Sequence, residues 1–219
     1  MVKPAFRFNK KIAIFGAGGF AKETLCCLVD AMKGSGMKVS DLACFVEKDD
    51  AMTVKTILGC DVIPQSAFDP DKYEAVVAIG PPNIRRKVVE SLPSNTKFAT
   101  IIHPSAVISE WVELGPGAIV TAGTILTVDI RIGNHAHFNL HTTVGHDVVA
   151  GDYFTTAPAA NISGCCTFGN NVYFGTGAGI KEGIKVCDNV TIGMGGVVVK
   201  DITEPGIYVG APVRKMEKK

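Results

Sequence analysis

Phe138-Asn-Leu-His-Thr-Thr-Val144-Gly-His-Asp-Val-Val-Ala150-Gly-Asp-Tyr-Phe-Thr-Thr156 decides how the chain folds, because its features recur every six residues. Carried outward in both directions, the register runs from Ala106 to Asp201. Its repeating position reads Ile108, Leu114, Val120, Leu126, Ile132, Phe138 and onward to Ile192 and Val198. Of sixteen such positions, only Thr156 is not apolar. Glycine often follows (Gly115, Gly133, Gly145, Gly151, Gly169, Gly175, Gly193), and a small or β-branched residue stands two places before (Ala106, Ala118, Ala136, Thr142, Val148). A period of six matches neither the ~3.6 of a helix nor the alternation of one long strand. It fits a solenoid of short strands joined by tight corners, with every third strand on the same face. The repeated apolar residue fills the interior, and the glycine after it lets the chain turn without a Cβ clash. Sixteen hexads make a little over five coils of eighteen residues, each buried only against its neighbours.

This run resembles the left-handed parallel β-helix of hexapeptide-repeat acyltransferases, over almost half of the chain. The left hand is what that resemblance implies, since the general crossover rule favours the opposite.

The 219 residues suffice for two modest domains with a buried core. Hydrophobic content of 47% against 20% charged residues marks a globular protein rather than disorder. Lys and Arg (22) nearly balance Asp and Glu (21), interspersed along the chain. That pattern excludes a basic stripe for nucleic acid and a polybasic membrane segment. Seven cysteines, an odd number without CxxC or His/Cys ligand spacing, predict free thiols in a reducing compartment and no bound metal. Lys3 to Phe15 lacks the apolar core of a signal peptide, and no apolar run reaches membrane-spanning length. A cytoplasmic location is expected.

Ahead of the repeat, Lys11 to Phe15 reads as a buried strand, followed at once by Gly16-Ala17-Gly18-Gly19-Phe20-Ala21. Helical spacing from Lys22 to Lys33 (Leu25, Leu28, Val29, Met32) comes next. Strand, glycine turn and helix together form a phosphate cradle from bare amides and a helix N-terminus, although tight helix-on-strand packing explains such glycines too. A second strand, Leu42 to Val46, ends at Glu47 and Lys48. A third, Ala75 to Ile79, ends at Gly80, and a helix starts near Ile84. These ends should share the carboxyl edge of a small Rossmann-like parallel sheet, where such sheets bind ligands. The unit ends near Thr100, too short for two mononucleotide halves, so it accommodates about one nucleotide rather than NAD. A division follows: residues 1–102 form the nucleotide-binding unit, and 103–219 form the β-helix with a C-terminal tail.

A short nucleotide-binding domain, then His103-Pro104-Ser105-Ala106 and a hexapeptide helix, resembles the sugar O-acyltransferases of the sialic acid O-acetyltransferase type. Close relatives of that type N-acetylate nucleotide-linked 4-amino sugars in bacterial glycan synthesis. The resemblance implies acetyl-CoA as co-substrate, a nucleotide-sugar substrate and a homotrimer with its cofactor groove between prisms. It also assigns His146, at a coil corner after Val144 and Gly145, as general base, and Asp147 as its helper. His103 stands at the entrance to the repeat. His135, His137 and His141 lack such support, and solvated or inter-subunit roles are expected for them. Asn139 matches a position lining the active site. Gly164 matches a glycine whose amide faces the thioester carbonyl. Thr155 replaces a cofactor-contacting histidine, while Thr176 and Met194 match backbone contacts. Gly18, Gly19, Phe20, Glu47, Lys48 and Gly80 match nucleotide contacts; related proteins often have histidine at Phe20 and an acid at Lys48. The segment Gly210 to Lys215 resembles the family's closing segment, and Arg214 and Lys215 are placed to meet CoA phosphates. Phe154 and Tyr173 are expected at exposed corners, on faces left for partner subunits.

The leading expectation is an acetyl-CoA-dependent N-acetyltransferase of a nucleotide-linked 4-amino-4,6-dideoxyhexose. The same machinery would serve an O-acetyltransferase of sialic acid or another sugar. A non-catalytic nucleotide-sugar scaffold would leave the His-Asp pair idle.

Overall fold

The computed structural model describes residues 10–217, in which a small α/β unit leads directly into a three-sided β-helix. The first unit holds strands β1 (Lys11–Phe15), β2 (Ala43–Glu47), β3 (Thr56–Ile57), β4 (Cys60–Pro64) and β5 (Tyr73–Val77), with helices α1 (Gly19–Ala31), α2 (Val39–Leu42) and α3 (Pro82–Ser91). The sheet order is β3-β4-β2-β1-β5, parallel except for β3. Strand β1 is apolar throughout its inner residues because both faces are covered. Ile12 and Ile14 pack with Leu25 and Leu28 of α1, whereas Ala13 and Phe15 lie in a cluster with Val88 and Leu92 beside α3. Since β2 and β5 flank β1 on opposite sides, the chain reverses its course across the sheet there. A crevice opens beyond the carboxyl ends of the strands at that point.

Helix α1 starts at Gly19, earlier than the Lys22 expected from spacing, and the last strand is Tyr73–Val77 rather than Ala75 to Ile79. The β3-β4 hairpin was not foreseen. Its two-residue turn puts Leu58 and Gly59 at φ 50 and 79°, and leucine is not a residue that advertises such a turn.

The winding begins at Ile101–Ile102, ahead of the hexad register. Face one stacks strands from Ile101–Ile102 through His137–Phe138 and Thr155–Thr156 to Val190–Ile192, then closes with Gly206–Gly210 and the antiparallel Val213–Lys215. Face two stacks Val107–Ile108 through Thr143–Val144 to Val197–Val198; face three stacks Val112–Leu114 through Val149–Ala150 to Lys185–Val186. Up to Val198 each rung pairs with residues eighteen further on, such as Ile125 with Thr143, whereas Gly206–Gly210 pairs sixteen beyond Val190–Ile192. The hexad residues point inward, and Thr156, the exception, bonds its hydroxyl to that of inward Thr142 at 2.8 Å.

Two expectations about corners change. Phe154 is fully buried, because the position two before each hexad residue also faces the interior. Its ring lies 4.9 Å from Phe168 and 6.0 Å from Phe138. Tyr173 is half-buried on face one, one rung beyond Thr155. The glycines after the hexad residues do not carry the turn's unusual dihedral. The left-handed residue stands three places after the hexad residue: Asp129, His135, His141, Asp147, Tyr153, Ala159, Cys165 and Asn171 all have φ between 52 and 61°. Those glycines instead admit the next coil. A Cβ on Gly145 would sit 2.6 Å from the Gly164 nitrogen.

Candidate active site

The α/β unit rests on face one. The outward side chains of its first four rungs, Ile101, Ile119, His137 and Thr155, are all at most 4% exposed. The seam is polar at its centre. Arg85, on α3, is completely buried and donates to the carbonyls of Ile79 (2.8 Å), Gly80 (3.0 Å) and Tyr153 (2.8 Å), and to the Thr155 hydroxyl (2.6 Å). It also meets His137 Nδ1 at 2.9 Å. Arginine only donates, so Nδ1 accepts, and the other ring nitrogen donates to the Val77 carbonyl at 3.0 Å. His137 is thereby neutral, and burial first, then Arg85, holds its pKa well below the usual value. Burial lowers Arg85 itself to about 9, which leaves it charged near neutrality. His135 is buried between Phe98 and Tyr153, with its pKa lowered to about 4 by burial and then by Arg85.

These two histidines are therefore neither solvated nor on a free subunit face, because the α/β unit covers that side. His141 is exposed as expected. His103 ties the coil's entrance to α1 through Asp30 at 3.1 Å. Thr155 also differs from its expected place. Its hydroxyl is consumed by Arg85 inside the seam, so no side-chain atom faces an open cofactor groove.

At the crevice, Gly18 and Gly19 are exposed at the start of α1, with nothing within 4 Å of where a Cβ would stand. Phe20 packs against His137 with ring centroids 4.8 Å apart and planes tilted by 41°, which ties the glycine turn to the solenoid. Glu47 ends β2, Lys48 follows it, and Gly80 is pinned through its carbonyl by Arg85. Lys48 also lines an open groove of about 720 Å³ with Asp49, Ser66 and Lys87. These residues gather at one sheet edge, the place where parallel sheets of this kind leave room for a ligand.

His146 lies elsewhere, on the edge between faces two and three. Its Nδ1 is 2.7 Å from Asp147 Oδ2, although side chains of adjacent residues normally diverge. The left-handed conformation of Asp147, φ 57°, brings them together. The ring lies over Gly164 of the next coil, where a Cβ would be 2.6 Å from its Cε1. Asp147 accepts from Nδ1–H and leaves Nε2 with a lone pair, which is the arrangement of a general base. Both groups are about half exposed.

Asn139, Thr176 and Met194 occupy a different edge, between faces one and two, with Met194 79% exposed. One chain thus brings His146, Asp147 and Gly164 together, and Thr176 with Met194, but the two groups flank face two on opposite sides. In the closing segment Lys215 is bound to Glu204 at 2.7 Å, so a phosphate would have to compete for it.

Residues 11–92 match the PglD N-terminal domain family. The chain is 35% identical over 175 residues to a GDP-perosamine N-acetyltransferase of Escherichia coli O157:H7, covering 78% of each sequence. This chain belongs to the nucleotide-sugar N-acetyltransferase family. Among solved structures, the acetyltransferase domain of PglB from Neisseria gonorrhoeae in complex with acetyl coenzyme A is 27% identical, with a TM-score of 0.84, covering 95% of this chain and 100% of that one. The PerB enzyme of Caulobacter crescentus, in complex with CoA and GDP-perosamine, is 27% identical with a TM-score of 0.83 over 96% and 99% of the two chains. These relatives place the chain with the N-acetyltransferases rather than specifically with the sialic acid O-acetyltransferase type named from the sequence.

Sequence reading missed Arg85. It stands in the run Arg85-Arg86-Lys87, where nothing marks which cation turns inward.

Proposed function

We propose that the enzyme transfers the acetyl group of acetyl-CoA to the 4-amino group of a nucleotide-linked 4-amino-4,6-dideoxyhexose, for bacterial surface glycans. The observation that carries this reading is the exposed His146–Asp147 pair at 2.7 Å, with the Nε2 edge of the ring lying over Gly164. The relatives' ligands, CoA and GDP-perosamine, support the substrate class. The sugar amine, neutral on attack, adds to the thioester carbonyl while Nε2 takes its proton. The tetrahedral intermediate collapses, the carbon–sulfur bond breaks, and His146 returns the proton to the departing CoA thiolate. The Gly164 amide steadies the oxyanion.

The reading includes a homotrimer. Face two presents Val107, Ile125, Thr143, Asn161, Gly179 and Val197 outward, with no charge among them, whereas face three presents Glu113, Arg131 and Lys185. Turning face two toward a threefold axis brings the His146 edge of one prism against the Thr176–Met194 edge of the next. The α/β unit on face one stands beside that second edge, so each nucleotide sugar meets a neighbour's base. Seven free thiols support a cytoplasmic setting.

A panel of GDP-, UDP- and dTDP-linked 4-amino sugars, with free sialic acid, assayed for CoA release, tests the substrate. His146→Ala should lower turnover by roughly two orders of magnitude or more, with nucleotide-sugar affinity unchanged. Turnover near that of the parent would remove His146 from the base role.

A further inference from the structure

We propose that His146, Asp147 and Cys165 form a site for a soft divalent cation, with zinc as the natural occupant, and that filling it switches the catalytic base off. The inference rests on His146 as base for its effect, but not for the binding itself.

The donor atoms are already assembled. One atom each from His146, Asp147 and Cys165 lie within 4.8 Å of one another. His146 Nδ1 is 2.7 Å from Asp147 Oδ2 and 3.9 Å from Cys165 Sγ. Tetrahedral zinc, with bonds of about 2.0–2.3 Å, sets its ligand atoms roughly 3.3–3.6 Å apart. From Nδ1 the carboxylate must open and the thiol close by less than about an ångström, and the carboxylate and thiol, already within 4.8 Å, must also draw together.

The backbone fixes this arrangement. Asp147 and Cys165 hold the same corner position on successive coils, and both are left-handed at φ 57°. The Cys165 amide donates to the His146 carbonyl at 2.8 Å, which locks the two rungs together. Gly164 lets the ring lie down toward the thiol, since any Cβ there would strike it. Thiolate and imidazole favour zinc over magnesium or calcium, which take oxygen ligands. All three residues are exposed, so a fourth position stays open to water and binding is reversible.

The chemical effect follows from which nitrogen is used. In the free site, Nδ1 carries the proton given to Asp147, and Nε2 is the base. Zinc bonds Nδ1 and the sulfur; the thiol proton goes to solvent, and the imidazole proton moves from Nδ1 to Nε2. The neutral ring then presents N–H where the amine's proton should go. No redox change occurs, and chelation of the metal restores the first state.

Cobalt(II) chloride added to the reduced full-length protein should produce a thiolate-to-cobalt charge-transfer band at one equivalent per chain. Zinc chloride should abolish that band and inhibit CoA release on the nucleotide sugar turned over in the panel above, reversibly with chelator. Magnesium chloride should do neither. Cys165→Ala should keep the parent's turnover, lose the band, and need at least about tenfold more zinc for half-inhibition, the factor that each 1.4 kcal/mol of lost binding gives. Alanine suits the position, since Ala159 holds the equivalent corner at φ 58°. Absence of a Cys165-dependent band would overturn the site, and a band without inhibition would overturn its effect on the base. Failure of the base itself is read separately, without metal, from His146→Ala.

Discussion

Replacing Arg85 by methionine removes the guanidinium at the centre of the seam while keeping most of its volume. Two opposing quantities decide the outcome. Burial has lowered Arg85 to about 9 from 12.5, so the fold carries roughly 5 kcal/mol for holding that charge out of water, at about 1.4 kcal/mol per unit. The substitution returns that. Against it, five acceptors lose the guanidinium: the carbonyls of Ile79, Gly80 and Tyr153, the Thr155 hydroxyl and His137 Nδ1, of which Tyr153 keeps a second donor in the Thr155 hydroxyl at 3.2 Å. Each buried group left unpaired costs about 1–3 kcal/mol, less where water enters. The loss outweighs the gain, and a net destabilisation of about 3–5 kcal/mol is expected, the range found when one partner of a buried charged contact is removed. For a chain of this size, thermal unfolding followed by circular dichroism should show a midpoint lower by roughly 6–20 °C. Arg85→Lys should lose much of the same stability, because a single ammonium cannot span five acceptors in a plane. A midpoint for Arg85→Met within about 2 °C of the parent would refute the reasoning and mean that relief of the buried charge cancels every lost bond.

Gly164→Ala should fold normally, because Gly164 does not have a positive φ, yet displace the His146 ring. Turnover should fall at least about tenfold with little change in melting temperature, and unchanged turnover would show the ring has another place to go. His135 and His137 bind protons more weakly folded than unfolded, so acid favours the unfolded chain. Their contribution is intact above about pH 6.5 and fades as pH drops toward about 4, the value for His135; urea midpoints across that window should decline, and His135→Phe should flatten the acid limb. Ile125→Asp, on uncharged face two, should dissociate the proposed trimer and lower activity together, read by light scattering and CoA release across a dilution series. A stable trimer with the aspartate would move the interface elsewhere.

The β-helix was legible because each rung is only two or three residues long, so every coil restates the same inward residue and the same corner. The corner chemistry was harder to read. Left-handed backbone at Tyr153 and Cys165 is imposed by the stacked coils, not by residues that favour it, so the sequence pointed to the wrong glycines. The His146–Asp147 pairing was visible as a motif, but its geometry depends on that imposed conformation. Thr155 and His137 face outward in the register, as surface residues would. Only a second domain, packed by Arg85 from an unremarkable basic run, turns them into interior groups. Contacts between units leave no periodic trace in either unit.

The hairpin that ends face one has a consequence for the behaviour of the chain at high concentration. A stack of parallel rungs resembles an unfinished fibre: its last rung offers unpaired amides and carbonyls to any strand that arrives. Here the strand Gly206–Gly210 is followed by Val213–Lys215 running the opposite way. An incoming copy of the solenoid therefore finds no parallel rung to extend on face one. Lys215, held by Glu204, adds a charged pair to that final strand. Removal of residues 211–219 would expose the parallel rung, and the protein would be expected to grow end to end where the intact chain stays dispersed.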